Sequence, residues 1–396
     1  MVKFGLDRFS ADVPKPLAGK RVGVVCHAAS VDSSYRHIID IFADGGLRDG
    51  ARWPVLSAIF GPQHGLFGQT QDNMVEWEGS IHPTLKIPVY SLYGEYRKPT
   101  PDMLDGIDAV IFDVQDVGAR PYTYVWTLKH CMEACAESGI PIWVLDRPNP
   151  IGRIGVDGPM LSETFFSFVG GAAIPLCHRM TMGEMALLIK KSYVGGADVN
   201  VVWMDGWRRD SLWSDTGLPW VLPSPNMPTL DTAIVYPGQV LLEATNLSEG
   251  RGTTRPFELF GAPFINATEL TAALNAKKLP GCLFREHNFI PTFQKWNGEL
   301  CGGAQIHVTD PKAYRPVETT VAILGVVIKR YGDKFKYKDP PYEYEREKMP
   351  FDILAGDTEL RGALALGESV EEIRVSWERG YGLWYELFKT VSYYKE

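Results

Sequence analysis

No GxGxxG turn follows the first strand-like run of this chain, and neither a GxxxxGK[ST] loop nor a GxSxG elbow occurs anywhere in it. These absences remove the phosphate-binding turn of a nicotinamide or flavin site, the nucleoside-triphosphate cradle and the α/β-hydrolase serine. HExxH is missing and no two histidines fall four apart. A metal site would therefore have to be assembled from Asp, His and Glu distant in sequence, and no metal or cofactor is expected. Cys26, Cys131, Cys135, Cys177, Cys282 and Cys301 include no CxxC pair and are too scattered for a disulfide framework. Cys131 and Cys135 read as packed thiols on one helix. No apolar run approaches the roughly 18 residues that span a bilayer. The opening MVKFGLDRFSADVP has neither an apolar signal region nor a small-residue cleavage site, so a cytoplasmic protein without a membrane partner is expected. Basic charge is scarce: 40 Lys and Arg stand against 48 Asp and Glu, a net charge of -8, with no basic stripe. Nucleic acid is not an expected partner.

What the chain has is a grammar of strands that end in polar bursts. VLSAIFGPQHG (Val55 to Gly65) runs into His64, and AVIFDVQDVGARPYTY (Ala109 to Tyr124) runs into Asp116, Arg120 and Tyr122. IPVYSLYGEY ends in Glu95, IWVLDRPNP ends in Asp146, Arg147 and Asn149, and RVGVVCHAAS repeats the pattern more weakly. In an open parallel α/β sheet all carboxyl ends lie on one edge, so these bursts are expected to meet in a single crevice. At 396 residues and 45% hydrophobic content, the chain exceeds the roughly 250 to 300 residues at which one core stops growing, and two domains are expected.

The linking segments read as helices. Thr123 to Ser138 spaces Val125, Leu128, Met132 and Cys135 by three and four, with Gly139 as the stop. Thr100, Pro101 and Asp102 open a short helix. Thr181 with Glu184 and Ser369 with Glu372 form capping boxes, which makes Glu184 a structural cap, and Val370, Ile373 and Trp377 form a core stripe. VNVVWM and GGAQIHVTD read as strands, and Glu269 to Ala276 and Val317 to Tyr331 as helices. Trp220 to Gly238 is rich in proline and predicts a long ordered loop over the crevice. Val240 to Phe264 then concentrates Glu243, Asn246, Glu249, Arg251 and Arg255 among glycines.

Carboxylates, amides, arginines and aromatics together are the equipment for a sugar. Glycoside cleavage needs a carboxylic acid to protonate the leaving oxygen and usually a second carboxylate. Asp116, Glu76, Glu95, Glu243 and Glu249 are the candidates by position.

The runs GPQHG (Gly61 to Gly65), DVQDVGARPYTY (Asp113 to Tyr124), VLDRPNPIG (Val144 to Gly152), PSPNMPT (Pro223 to Thr229), YPG (Tyr236 to Gly238), EATNLSEGRGTTRPFELFGAPF and CGGAQIHVTD together resemble the exo-acting β-N-acetylmuramidase family. That family was formerly known only as a bacterial domain of unknown function. The resemblance covers nearly the whole chain. It implies a Rossmann-like, doubly wound, mostly parallel α/β domain over residues 1–250 that carries most of the site. A smaller α+β domain over 251–396 would close the cleft. It also implies removal of N-acetylmuramic acid from the non-reducing end of peptidoglycan fragments, a sugar or muropeptide being the partner. Many members carry Glu where this chain has Gln63, and a glutamine cannot deliver a proton. Either the donor lies elsewhere, Glu76 being one substitute, or another glycoside is cleaved. A smaller departure is HRMTMGE at His178, where a glycine is common after the histidine.

Role expectations follow. Asp116 is either a general acid whose carboxyl pKa is raised by burial or a salt-bridge partner of Arg120. Glu249 either acts as the second carboxylate or orients Arg251. His64 shuttles a proton or binds the acetamido group. Arg251, Arg147 or Arg120 offers a planar fork for the lactyl carboxylate. Of Tyr122 and Tyr124, only one is expected to face the crevice. Gln63, Asp146, Asn149, Asn226 and Asn246 complete the expected substrate-binding set. A non-catalytic muropeptide-binding protein, a hydrolase of another acidic or N-acetylated sugar, and a sugar oxidoreductase are the competing readings.

Overall fold

The computed structural model describes residues 2–48, 53–72 and 74–396. In chain order its strands are β1 (Arg21–Cys26), β2 (Val55–Gly61), β3 (Ser80–Ile81), β4 (Pro88–Ser91), β5 (Ala109–Asp113), β6 (Ile142–Leu145), β7 (Asp157–Met160), β8 (Pro175–Cys177), β9 (Val199–Val202), β10 (Leu259–Ala262), β11 (Cys282–Phe289) and β12 (Cys301–Val308). Seven of them form one sheet in the order β3-β4-β2-β1-β5-β6-β9. All its pairings are parallel except that of the short edge strand β3 with β4. The five runs read from the sequence are the adjacent strands β4, β2, β1, β5 and β6, so their polar ends do share one edge.

The continuous apolar runs have a simple cause: both faces of the sheet are covered. Val22, Val24, Ala109 and Ile111 pack on one face with Phe9, Ile38 and Phe42. Val25, Val110 and Phe112 pack on the other with Leu128, Met132 and Leu188. Alternate residues of a strand point to opposite faces, so a doubly covered strand has no polar side. The helices on the second face start and stop where the sequence predicts. Helix Tyr124–Ser138 ends at Gly139 with φ 67°, and helix Met182–Ser192 opens with the Thr181 and Glu184 box. Glu184 is the structural cap expected and also pairs with buried Arg209. The six cysteines are buried free thiols.

The C-terminal part is smaller and built around an antiparallel sheet in the order β10-β12-β11, flanked by helices Ala267–Asn275 and Pro316–Tyr331. Strands β7 and β8 form a separate antiparallel pair. Four further helices lie between Pro350 and Lys389, among them Val370–Glu378, where Ile373 and Trp377 are buried as the stripe predicts. No helix among the described residues is long and apolar enough to cross a membrane.

One expectation fails. The proline-rich stretch predicted as a loop up to Gly238 contains helix Leu230–Gln239, capped by Thr229 accepting from the Thr232 N–H and carrying Pro237 inside it. Leu230, Ala233, Ile234 and Val235 bury the early turns before the proline is reached, and packing against helix Pro316–Tyr331 outweighs the ring's cost. Close approach there depends on Gly238, where a Cβ would stand 2.0 Å from the Pro316 carbonyl oxygen. Gly238→Ala is expected to destabilise the fold by about 1 to 3 kcal/mol, measured by denaturant unfolding. An unchanged midpoint would show that the two helices can part without loss.

Candidate active site

The edge formed by the carboxyl ends of β2 and β5 opens into a narrow cavity of about 40 Å³. Gln63 and His64 enter from the turn after β2, and Tyr122, Thr123 and Tyr124 from the turn after β5. Ser224, Asn226 and Met227 cover it from the proline-rich segment, the part of that segment that does behave as a loop over the crevice. Tyr236 and Glu243 come from helix Leu230–Gln239 and the 3₁₀ turn Val240–Ala244 that continues it. They are seven residues apart, two helical turns, which places both on one face. Arg251, Phe257, Tyr342 and Glu343 close the far side. Both Tyr122 and Tyr124 line the cavity, ring centroids 4.8 Å apart and edge-on. The expectation that only one faces inward fails because Tyr122 precedes the helix, which starts at Tyr124.

Two glutamates face this space in different company. Glu243 accepts from Arg251 Nη2 at 2.7 Å and from the Tyr342 hydroxyl at 2.7 Å. Among the described residues, Glu343 has no cation within ion-pairing distance. Its Oε2 accepts from the Tyr93 hydroxyl at 2.9 Å, and its Oε1 faces Gln63 Nε2 at 3.5 Å. The Thr123 hydroxyl donates to Gln63 Oε1 at 2.6 Å, which turns the amide nitrogen toward the glutamate. Burial pushes the Glu343 pKa up to about 7, with the charge of Glu243 adding to it. Glu343 is thus the carboxyl group of the cavity tuned to hold a proton near neutral pH.

Backbone strain gathers at the same place. Residues 342–345 close a two-residue hairpin turn through reciprocal N–H to carbonyl bonds of 2.9 Å. Its central residues, Glu343 at φ 42° and Tyr344 at φ 70°, are both left-handed. Asn and Gly are the usual occupants of such a turn, and two side-chain-bearing residues there are held at a cost. His64 (φ 70°) and Phe257 (φ 64°) line the cavity in the same strained region.

Arg251 is the cation of the site. Burial opposes its charge, but Glu243 and Glu249 outweigh that and raise its pKa. Its Nη1 is buried with no hydrogen-bond partner among the described residues. Glu249 stands behind it, 3.4 Å from Arg251 Nε and 2.7 Å from Lys295 Nζ, and does not line the cavity. His64 Nδ1 lies 2.8 Å from the Thr70 carbonyl, and burial lowers its pKa to about 4. It is a neutral imidazole with Nε2 left to accept.

Other residues expected at the site serve the fold. Arg120 donates to the carbonyls of Pro159, Ile174, Leu354 and Ala355 and forms no pair with Asp116. Arg147 forks onto Asp113 at 2.5 and 2.7 Å, both side chains fully buried. Asp146 accepts from the Thr181 and Tyr394 hydroxyls and the Gly183 N–H, tying the chain's last turn to β6. Asn149 donates to the Met180 carbonyl, and Asn246 spans Lys334 and Lys336. Glu76 is exposed, accepts from the Tyr344 hydroxyl at 3.2 Å, and lines an outer groove with Glu95. Among the described residues no cluster of His, Cys, Asp and Glu is placed to hold a metal ion.

Asp116 lies beneath the cavity, close enough for its charge to act on Tyr122, Tyr124 and Tyr236. The Gly118 N–H donates to it at 2.6 Å, while its Oδ1 is buried without a hydrogen-bond partner among the described residues. Burial raises its pKa to about 7. The folded state therefore keeps a proton that the unfolded chain has shed above pH about 4, so stability falls as pH rises from about 4 to 7. Asp116→Asn is expected to flatten that dependence and to stabilise the protein at pH 8, read from urea midpoints across the range. An unchanged profile would place the aspartate in water.

The sequence reading missed Glu343, Tyr342, Tyr236 and Thr123. The segment PPYEYE was the only signal for the first two, an acid-aromatic alternation behind two prolines in a largely helical stretch.

Two family models divide the chain: exo-β-N-acetylmuramidase NamZ, N-terminal, matches residues 22–231, and NamZ, C-terminal, matches residues 234–394. The chain belongs to the exo-β-N-acetylmuramidase NamZ family. Peptidoglycan β-N-acetylmuramidase NamZ of Bacillus subtilis (strain 168) is 44% identical over 379 residues, covering 96% of this chain and 88% of that protein. Two crystal structures of DUF1343 family proteins from Bacteroides fragilis NCTC 9343 share the NamZ-family fold over 100% of this chain and 99% of theirs. One has TM-score 0.86 at 32% identity and the other 0.75 at 26%.

Proposed function

We propose that this protein is an exo-acting glycoside hydrolase that releases N-acetylmuramic acid from the non-reducing end of peptidoglycan fragments. The observation that carries the mechanism is the pairing in one cavity of a buried Glu343, without an ion-pair partner among the described residues, with a Glu243 held by Arg251 and Tyr342. A glycosidase divides its work between two such carboxyl groups. Glu343, protonated near neutral pH, donates to the glycosidic oxygen, and Glu243 stabilises the positive charge that develops at C1 as the bond breaks.

Arg251 Nη1 supplies a charged donor for the lactyl carboxylate that distinguishes muramic acid from glucosamine. His64 Nε2 accepts from the acetamido N–H, Asn226 and Ser224 meet ring hydroxyls, and Tyr122 and Tyr124 form the aromatic wall. Asp116 and Glu249 act from behind this layer, one under the tyrosines and the other behind Arg251.

The test is hydrolysis of a chromogenic β-N-acetylmuraminide beside the matching N-acetylglucosaminide. Release from the first, at least a hundredfold faster than from the second, is expected. Equal release from both would remove the role given to Arg251, and no release from either would favour a muropeptide-binding protein.

A further inference from the structure

Glu343 has two sides. Its carboxyl group lines the buried cavity, and the same residue forms part of the floor of a second, open hollow of about 240 Å³ on the outer side of the 342–345 turn. That hollow is lined by Arg97, His130, Ser167, Phe168 and Tyr344. Tyr344 is 41% exposed, yet it is held firmly: its ring packs edge-on to Phe168 at 5.5 Å and to Tyr93 at 5.8 Å. The Arg97 guanidinium stacks over it at 4.1 Å. Tyr93 also donates to Glu343, so the ring cluster outside and the carboxyl group inside share one support.

We propose that this outer hollow is the leaving-group subsite, which receives the N-acetylated sugar released from the reducing side of the cleaved bond. The inference rests on the glycosidase reading and adds to it the place of the second sugar. A general acid must sit between the two sugars it separates, because the atom it protonates joins them. Among the described residues, Glu343 lines both the narrow buried cavity and a larger open space faced with aromatic rings. A pyranose ring presents an apolar face of C–H bonds to an aromatic ring, and a ring already fixed by its neighbours loses little entropy on binding. The turn places the two neighbours differently: Glu343 lines both spaces, whereas Tyr344 lines the outer hollow and not the cavity.

The experiment compares two substrates of the full-length protein. N-acetylmuramic acid β-1,4-linked to N-acetylglucosamine fills the hollow; β-N-acetylmuraminyl fluoride leaves it empty. Tyr344→Asn removes the ring while keeping a residue that tolerates the left-handed backbone, and Arg97→Ala removes the stacked cation without touching the turn. For each variant the ratio of kcat/KM on the disaccharide to kcat/KM on the fluoride is expected to fall at least fivefold. A ratio changed less than fivefold in both variants would overturn the subsite. Failure of the unaltered protein to cleave either substrate would instead remove the glycosidase reading.

Discussion

Replacing Glu343 by Gln lowers kcat/KM on a muramic-acid disaccharide by about 10² to 10⁴, the range spanned by loss of a positioned proton donor. The loss is expected in kcat with KM little changed, because the amide keeps the volume of the acid and still meets Tyr93 and Gln63. The pH profile carries the sharper signature. A donor must be protonated to act, so activity of the unaltered protein falls as pH rises through about 7, the value to which burial lifts Glu343. Glu343→Gln lacks that limb, whereas Asp116→Asn, removing a second carboxyl group of similar pKa, keeps it. Substrates with good leaving groups need less protonation and lose less in the variant. If Glu343→Gln retained both rate and pH limb, the proton would come from elsewhere, and Glu76 on the outer side of the turn would be the next residue to test.

The second large effect concerns an arginine that sequence reasoning assigned to substrate. Arg147→Met leaves Asp113 without its bidentate partner at a position where both side chains are fully buried. Breaking such a pair from one side costs about 3 to 5 kcal/mol, because the remaining charge stays in the interior unpaired. Burial already raises the Asp113 pKa, and Arg147 is what opposes the rise. The double variant Asp113→Leu with Arg147→Met is expected to recover much of the loss, since removing both charges also removes the desolvation cost. Denaturant unfolding of the two variants measures this. A single variant of normal stability with a raised KM would return Arg147 to the binding site.

These cases show where a linear reading succeeds and where it stops. The strands were legible because a doubly covered parallel sheet leaves no polar face, so Val22 to Cys26 and Ala109 to Phe112 read as unbroken apolar runs. Helix starts were legible through Thr181 with Glu184 and Ser369 with Glu372, whose bonds are local. The polar bursts at strand ends did gather on one edge, but residue type alone could not divide them. Arg120, Arg147 and Asp146 carry the same chemistry as Arg251 and Glu243, yet their polar atoms are consumed by carbonyls, Asp113 and Tyr394. Glu343 was invisible for a different reason. Its turn has the backbone that Asn-Gly normally announces but is built from Glu and Tyr, and its partners Gln63 and Tyr93 lie 280 and 250 residues away. The proline-rich segment misled in the opposite sense, since Pro237 sits inside a helix whose cap at Thr229 had already set it in motion.

The account turns on a single buried space in which one carboxyl group holds a proton and one arginine holds an anion. A crystal structure with N-acetylmuramic acid bound tests it most directly. The sugar is expected in the cavity between Tyr122 and Arg251, its lactyl carboxylate on Arg251 Nη1 and its C1 oxygen within hydrogen-bond reach of Glu343. A sugar seated in the outer groove beside Glu76 and Glu95, or bound with C1 turned away from Glu343, would contradict the account.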